Sequence, residues 1–401
     1  MIQVGVFGYG TVGSGVVEVL TKNADIVEKN VGEKVNVKAV LDLRDFPGDE
    51  HENLIVHDVE TIVNDPEIKV ICETMGGVGA AYKFTQMALN AGKSVCTSNK
   101  ELVALHGPEL LELAKKNNCS YKFEASVGGG IPIIRPLQDA VTADKIEAVV
   151  GIVNGTTNYM LTKMAGEGAE FDDVLKEAQA NGYAELHPEA DIEGYDACRK
   201  IAILSSLVYG KTVNYENIPT EGIVNVSKRD MKYAEKLGMT IKLLAKFEDR
   251  ATGAFAQVAP HLLKPSNPLF HVDDVFNAIL VRGNMLGDAM FYGRGAGKLP
   301  TASAVCGDVV ECCKNVGKNI PCNWKDEEVN LPGFLASKKQ FFVRVGAELK
   351  EAALAAFENV TEIDGGFFDE FAFITEELSE ADFNRKKEKT GMLINYLRLE
   401  K

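Results

Sequence analysis

The chain is poor in the features that mark several broad classes of protein. No stretch approaches the ~20 consecutive apolar residues that span a bilayer, and no basic segment precedes an apolar one at the N-terminus, so the chain is expected to begin directly with folded structure. Positive charge is in deficit: 43 Lys and Arg against 58 Asp and Glu leave a net charge of −15. Such a surface repels nucleic acid and anionic membrane, while a local basic pocket for a small anion stays possible. The eight cysteines form no CxxC pair and no metal-type pairing with the six histidines. Free, buried thiols in a reducing cytoplasm are expected. What is present is ordinary for a folded chain: 46% hydrophobic and 25% charged residues over 401 positions. At roughly 100–200 residues per domain this length makes two or three domains and rules out a peptide hormone, a zinc module or a disordered tail.

The order of patterns suggests an α/β protein. Ile2 to Phe7 is a β-type run, followed at once by Gly8-Tyr9-Gly10-Thr11-Val12-Gly13 and a helical stretch from Val16. Further strand candidates at Val35 to Asp42, Val70 to Glu73 and Ser94 to Thr97 alternate with helical or polar segments, as in a doubly wound parallel sheet. Residues 1–135 therefore read as a dinucleotide-binding Rossmann domain, with 300–325 returning to pack on it. Residues 136–299 read as a central α+β domain with strands at Glu147 to Val153, Ala254 to Val258 and Ala278 to Arg282. Its helices are expected at Phe171 to Asn181 and Asp196 to Tyr209, with Gly293 to Val310 a returning helix. After Leu331-Pro332-Gly333, residues 338–401 read as a small ferredoxin-like βαββαβ module.

A lone GxGxxG carries little information, but here it follows a strand and opens a helix. Gly8 permits the tight turn, Gly10 lets backbone approach a pyrophosphate, and Gly13 permits close helix packing. The helix start at Thr11 and Val12 then offers free N–H groups to phosphate. The end of the second strand chooses between cofactors, an acid accepting from the ribose diol and an arginine taking a 2′-phosphate. The chain carries both, Asp42 and Arg44. Glu73-Thr74-Met75-Gly76-Gly77 and Thr97-Ser98-Asn99-Lys100 follow the third and fourth strand candidates, where ligands bind in such sheets. Lys100 either faces the nicotinamide end or is an ordinary solvated lysine.

Two further segments carry chemistry. Glu124 to Pro132, with Gly128-Gly129-Gly130, offers a carboxylate and carbonyls to a small cation, or else forms a tight hinge. Gly151 to Tyr159 ends a strand in a hydroxyl-rich turn, and Gly182 to Asp196 is rich in carboxylates. Asp196 and Lys200 are spaced i,i+4 at the margin of an apolar stripe running to Leu204 and Leu207. Such a lysine is a candidate proton-transfer group, with desolvation and the nearby anion pulling its pKa in opposite directions. The alternative is a surface ion pair.

Taken in order over residues 1 to 335, these segments, with Gly293 to Gly297 and Pro300 to Ala304, make the chain resemble homoserine dehydrogenase. The resemblance implies NAD(P)-dependent interconversion of L-homoserine and L-aspartate 4-semialdehyde in the branch leading to threonine and methionine. It implies a catalytic centre at Lys200 and Asp196, with Lys100 in the substrate and nicotinamide region. Glu185, Asp191, Thr156, Tyr183 and Gly155 correspond to substrate-holding positions. Gly8, Gly10, Thr11, Val12, Gly13, Arg44, Thr74, Gly76 and Lys100 correspond to cofactor-binding positions. Glu124, Val127, Gly129 and Ile131 match a loop that holds a monovalent cation, usually sodium. Where some members have an acid before Asp191, this chain has Ala190. NADP is slightly favoured over NAD because Arg44 follows the strand end. A cytoplasmic homodimer or higher homo-oligomer is implied, and the tail resembles an ACT domain. Its first turn, Val345-Gly346-Ala347-Glu348-Leu349, lacks the aspartate and proline of an effector-binding turn, so a degenerate module insensitive to threonine is expected.

Two other functions compete. Another NAD(P)-dependent oxidoreductase of amino or hydroxy acids would share the first domain, and a non-catalytic nucleotide-sensing regulator would share the tail. Lys100, Asp196 and Lys200 together count against the regulator, and the carboxylates from Tyr183 to Asp196 point to an amine in the ligand.

Overall fold

The computed structural model describes residues 1–400, in two compact units. The first comprises Met1–Ala143, Ala202–Tyr215 and Phe291–Val329; the second comprises Asp144–Ile201, Glu216–Met290 and the chain from Asn330.

The first unit is built on six strands: β1 (Ile2–Phe7), β2 (Val35–Leu41), β3 (Ile55–Val56), β4 (Ile68–Glu73), β5 (Ser94–Thr97) and β6 (Tyr121–Lys122). All pair in parallel, in the order β3-β2-β1-β4-β5-β6. Val4, Val6, Val70, Ile71, Cys72, Val95 and Cys96 are fully buried, the apolar runs that a parallel sheet requires. Strand order reverses between β1 and β4, which opens a crevice at the carboxyl ends of these strands. The helix Lys298–Lys314 packs on the helix Thr11–Lys22, where a Cβ on Gly15 would stand 2.9 Å from the Lys298 carbonyl.

The second unit is organised on a nine-stranded sheet of β7 (Ile146–Ile152), β8 (Thr240–Arg250), β9 (Gly253–Leu263), β10 (Phe276–Gly283), β11 (Gly287–Arg294), β12 (Phe341–Gly346), β13 (Val360–Ile363), β14 (Glu370–Thr375) and β15 (Leu393–Glu400). Their order is β11-β10-β7-β8-β9-β15-β12-β14-β13. Two expectations change here. Residues 293 and 294 end strand β11, and the returning helix starts only at Lys298, with Pro300 in its first turn where a missing N–H costs nothing. The tail is not a separate domain: β15 lies parallel to β9, with His261 opposite Arg398 and Leu263 opposite Glu400. Within the tail, β12, β13, β14 and β15 with helices Lys350–Phe357 and Glu380–Thr390 do follow βαββαβ order.

Buried charge ties the tail to the rest of its unit. Arg398 donates to Glu380 at 2.6 Å and to Glu221 at 2.7 Å, and Arg344 to Asp230 at 2.8 Å and Glu370 at 2.5 Å. The boundary near 136–299 also differs, because Ala202–Tyr215 belongs to the first unit. All eight cysteines are free; seven are buried and Cys322 is partly exposed. Among the described residues no helix is long and apolar enough to cross a membrane.

Candidate active site

The glycine loop of the first unit is shaped by backbone. Gly8 adopts φ +92°, a region that L side chains rarely enter. A Cβ on Gly13 would stand 1.9 Å from the Gly8 carbonyl and 2.8 Å from Thr74 Oγ1, so the helix Thr11–Lys22 can approach the strand only at a glycine. Thr74 fastens the turn by donating to the Phe7 and Gly8 carbonyls at 2.9 and 3.0 Å. Gly10 has open space where a side chain would start. No side chain caps the helix that begins at Thr11 and Val12, and no acid lies in its first turn. These are the properties of a pyrophosphate cradle: accessible backbone, unpaired N–H groups and a positive helix end.

At the end of β2 the two candidate selectors are joined. Arg44 makes a fork with Asp42, Nε to Oδ1 and Nη2 to Oδ2 at 3.0 Å each, and Asp42 also accepts from Tyr9 N at 2.8 Å. The guanidinium holds the Asp42 carboxyl well below the usual carboxylate range. Arg44 itself is exposed and lies over the Phe46 ring, 5.0 Å from its centre.

The Glu124 loop differs from its expected ligand set. The carboxylate accepts from the backbone N–H groups of Ile133, Ile134 and Arg135 at 2.6, 2.9 and 2.8 Å. It is therefore a cap for the following turn, and a cation at Glu124, Val127, Gly129 and Ile131 would have to be held by backbone carbonyls. A Cβ on Gly129 would stand 2.3 Å from the Gly295 carbonyl, which fixes the loop closely against residues 295–296. Among the described residues no cluster of three or more His, Cys, Asp or Glu side chains could hold a metal.

The second unit carries a polar chain, buried at Asn154, Asp196 and Lys200 and half-buried at Asp191. The helix Tyr195–Tyr209 brings Asp196 and Lys200 onto one face, 3% and 9% exposed, which excludes the surface ion pair. Lys200 Nζ donates to Asp196 Oδ2 and to the Val153 carbonyl, both at 2.7 Å. Asn154 Nδ2 donates to Asp196 at 2.9 Å and to Asp191 at 2.7 Å. The other end of Asn154 caps the helix Gly155–Glu167 through Thr157 N at 2.9 Å. Gly155 sits close to the Val275 carbonyl, 3.0 Å from where its Cβ would be. Thr156 Oγ1 donates to the Tyr183 carbonyl at 2.6 Å, and the Tyr183 ring packs at 4.9 Å from Tyr159. Glu185 is exposed on the adjoining segment, its carbonyl held by Gln179 at 2.9 Å.

Sequence comparison matches both units. The homoserine dehydrogenase NAD binding domain family matches residues 8–124, and the homoserine dehydrogenase family matches residues 132–310. The homoserine dehydrogenase of Bacillus subtilis is 37% identical over 407 residues, covering 96% of this chain and 93% of that one. The chain belongs to the homoserine dehydrogenase family. A Synechocystis homoserine dehydrogenase is 44% identical over 77% of this chain and 72% of its own. The crystal structure of a homoserine dehydrogenase from Thiobacillus denitrificans superposes with a TM-score of 0.90 at 33% identity, covering 100% of this chain and 98% of that one. A hyperthermophilic archaeal homoserine dehydrogenase solved in complex with NADPH matches at 0.68 and 29% identity, over 80% of this chain and 99% of that one. The buried Asp196–Lys200 pair lies within the residues that the homoserine dehydrogenase family matches.

Sequence reasoning missed Asn154 and the Val153 carbonyl as members of that chain of contacts. An asparagine directly ahead of a helix start is a capping signal, but its second role, joining Asp191 to Asp196, depends on residues 37 and 42 positions away. It also missed Glu73, Thr97 and Asn99, whose partnership is described below.

Proposed function

We propose that the chain oxidises L-homoserine to L-aspartate 4-semialdehyde, and reverses that reaction, by hydride exchange with NAD(P). The chain is an NAD(P)-dependent oxidoreductase of aspartate-family amino-acid biosynthesis. The observation that carries the assignment of roles is the contact chain from half-buried Asp191 through Asn154 and Asp196 to buried Lys200. The dinucleotide supplies the hydride acceptor and donor when bound. Lys200, as the neutral amine, takes the proton from the carbinol oxygen during oxidation and, as the ammonium, returns it during reduction. Asp196 and the Val153 carbonyl hold the amine in one direction, so the proton moves along a fixed line. Asp191 and Glu185 supply carboxylates for the amino group of the substrate, and Thr156, Tyr183 and Gly155 shape its pocket. Lys100 is the alternative proton carrier or a partner for the substrate carboxylate.

Gly8, Gly10, Thr11, Val12 and Gly13 cradle the pyrophosphate, with Thr74 and Gly76 along its path. NADP is favoured over NAD, because Arg44 presents an exposed guanidinium and its fork occupies the acid that would read a ribose diol. A monovalent cation, sodium by the family resemblance, is held by the carbonyls of the Glu124 loop, and the working form is a cytoplasmic homodimer or larger homo-oligomer. The test is oxidation of NADH and of NADPH, followed by absorbance, with aspartate semialdehyde as substrate. Turnover with homoserine but not with alcohols lacking the amino group supports the assignment. Turnover of another hydroxy acid in its place would move it to the general oxidoreductase, and tight dinucleotide binding with no turnover to the regulator.

A further inference from the structure

The loops that follow β4 and β5 are fastened to each other by a buried acid. Glu73, the last residue of β4, lies in register between Phe7 of β1 and Thr97 of β5 and is fully buried. Its Oε1 accepts from Met75 N at 2.8 Å and its Oε2 from the Thr97 hydroxyl at 2.5 Å. The same hydroxyl oxygen accepts from Asn99 N at 2.9 Å. Asn99 closes the circuit: its Nδ2 donates to the Gly77 carbonyl at 2.7 Å, and its Oδ1 accepts from Leu102 N at 3.1 Å, capping the helix that starts at Lys100. Ser98 N adds a longer bond to the Glu73 carbonyl, 3.3 Å.

Sheet pairing does not need this circuit, since backbone groups already join β4 to β5. A carboxyl ending the run Ile68 to Cys72 is costlier to bury than an apolar side chain. Its hydrogen bonds all serve the two loops at the carboxyl edge of the sheet. Gly76 and Gly77, on the first of those loops, have open space where side chains would start, so that loop faces outward at the edge where dinucleotides bind.

We propose that Glu73 is a positioning residue for the nicotinamide half of the dinucleotide, locking residues 74–77 and 97–100 into one surface and thereby fixing Lys100. This rests on the dinucleotide assignment of the first unit and, for Lys100 only, on its place at the reacting end. The carboxylate form satisfies both donors. Burial pushes the Glu73 carboxyl up to about 7, against the hydrogen bonds from Thr97 and Met75 that lower it. Among the groups around it, β1 presents the apolar Phe7, β5 the neutral Thr97, and β6 the buried Tyr121, whose phenol is pushed far up and stays neutral. Protonation would bring an extra hydrogen into a circuit that offers Glu73 only donors, Met75 N–H and the Thr97 hydroxyl, so the lock should loosen as pH falls through about 7.

The experiment measures, on the full-length protein, the affinity for NADH and NADPH and for the matching ADP-ribose that lacks nicotinamide, together with Tm. Thr97→Val and Glu73→Gln should weaken the reduced dinucleotide about tenfold, the effect of one lost buried hydrogen bond, and ADP-ribose less than about twofold. Thr97→Ser should restore binding, and the loss of native affinity below neutral pH should vanish in Glu73→Gln. Equal loss of both ligands with a lowered Tm would show a merely structural acid, and unchanged dinucleotide affinity would show an acid without this role; either overturns the proposal. Lys100→Ala is measured beside them. If it leaves kcat and KM unchanged, the assignment of Lys100 falls, while positioning of nicotinamide is still decided by the two affinities.

Discussion

In the first unit the surface offered to a ligand is backbone, laid bare by Gly8, Gly10 and Gly13; in the second it is a chain of side chains that starts at the half-buried Asp191 and continues through Asn154, Asp196 and Lys200, taken out of water. The glycine loop stabilises its ligand with dipoles that cost nothing to bury, because the N–H groups at a helix start lack partners anyway. The lysine chain buries charge and must pair every member. In the proposed mechanism the first arrangement tolerates chemistry it does not perform, whereas the second keeps a mobile proton beside a fixed anion.

The largest effect should come from Lys200→Ala. It removes the proposed proton carrier and should lower kcat about 10²–10⁴-fold, while affinity for the dinucleotide stays near native. Tm should fall as well, because Asp196 keeps a buried charge without its cation. If Lys200→Ala turned over normally and Lys100→Ala did not, the proton would belong to the backbone-built unit and the contrast would fail.

Two glycines of one loop should separate next. A Cβ on Gly13 meets the Gly8 carbonyl at 1.9 Å, so Gly13→Ala should lose Tm and soluble yield. Gly10 has φ −80° and open space beyond it, so Gly10→Val should melt as the native chain does and lose dinucleotide affinity. Thermal melting and ligand titration read the two losses. Equal melting loss in both variants would mean that the loop is only a packing device.

Arg44→Ala should act more narrowly. It should raise KM for NADP about tenfold, as expected for a charge-assisted contact. KM for NAD should stay or improve, since Asp42, now held by Arg44, becomes available to a ribose diol. Parallel changes for both cofactors, measured by steady-state kinetics, would show that Arg44 does not read the phosphate.

The smallest expected effect is none. In the tail turn the Glu348 carboxylate lies 2.3 Å from where a Gly346 Cβ would stand, and Ala347 N already donates to the Asp369 carbonyl at 3.1 Å. Activity should therefore stay flat across a millimolar threonine titration. Inhibition by threonine would show that this turn opens.

Legibility in the sequence followed the range of the cause. Gly8-x-Gly10-x-x-Gly13 was readable because each glycine answers to its own φ or to a neighbour a few residues away, with strand and helix on either side. The i,i+4 spacing put Asp196 beside Lys200, but their depth depends on Val153, which is 47 positions from Lys200. The Glu124 carboxylate looked like a cation ligand because its three N–H donors lie nine to eleven residues on, in a turn without a pattern of its own. The tail showed its internal βαββαβ order, since those strands pair among themselves. Its union with β9 was invisible, because no local pattern announces which edge a strand will choose.

That union has a consequence for how the protein is made. Strand β9 has β8 on one side; on its other edge residues 219–221 bond to Val258 and Gly333 bonds to Ala254, and β15 closes the stretch His261 to Leu263. The ion pair that seals the seam, Lys246 with Glu400, joins residues 154 positions apart. During synthesis that last stretch therefore waits with bare backbone groups, the kind of edge that invites pairing with a stranger. Lys246, 1% exposed in the finished fold, waits meanwhile without its later partner. Stopping the chain near Ser337 would make that interval permanent, and the expected product is an aggregate instead of an enzyme relieved of a regulatory appendix. The last strand of the tail is thus a closing stitch, and nascent chains should depend on chaperone cover until it emerges.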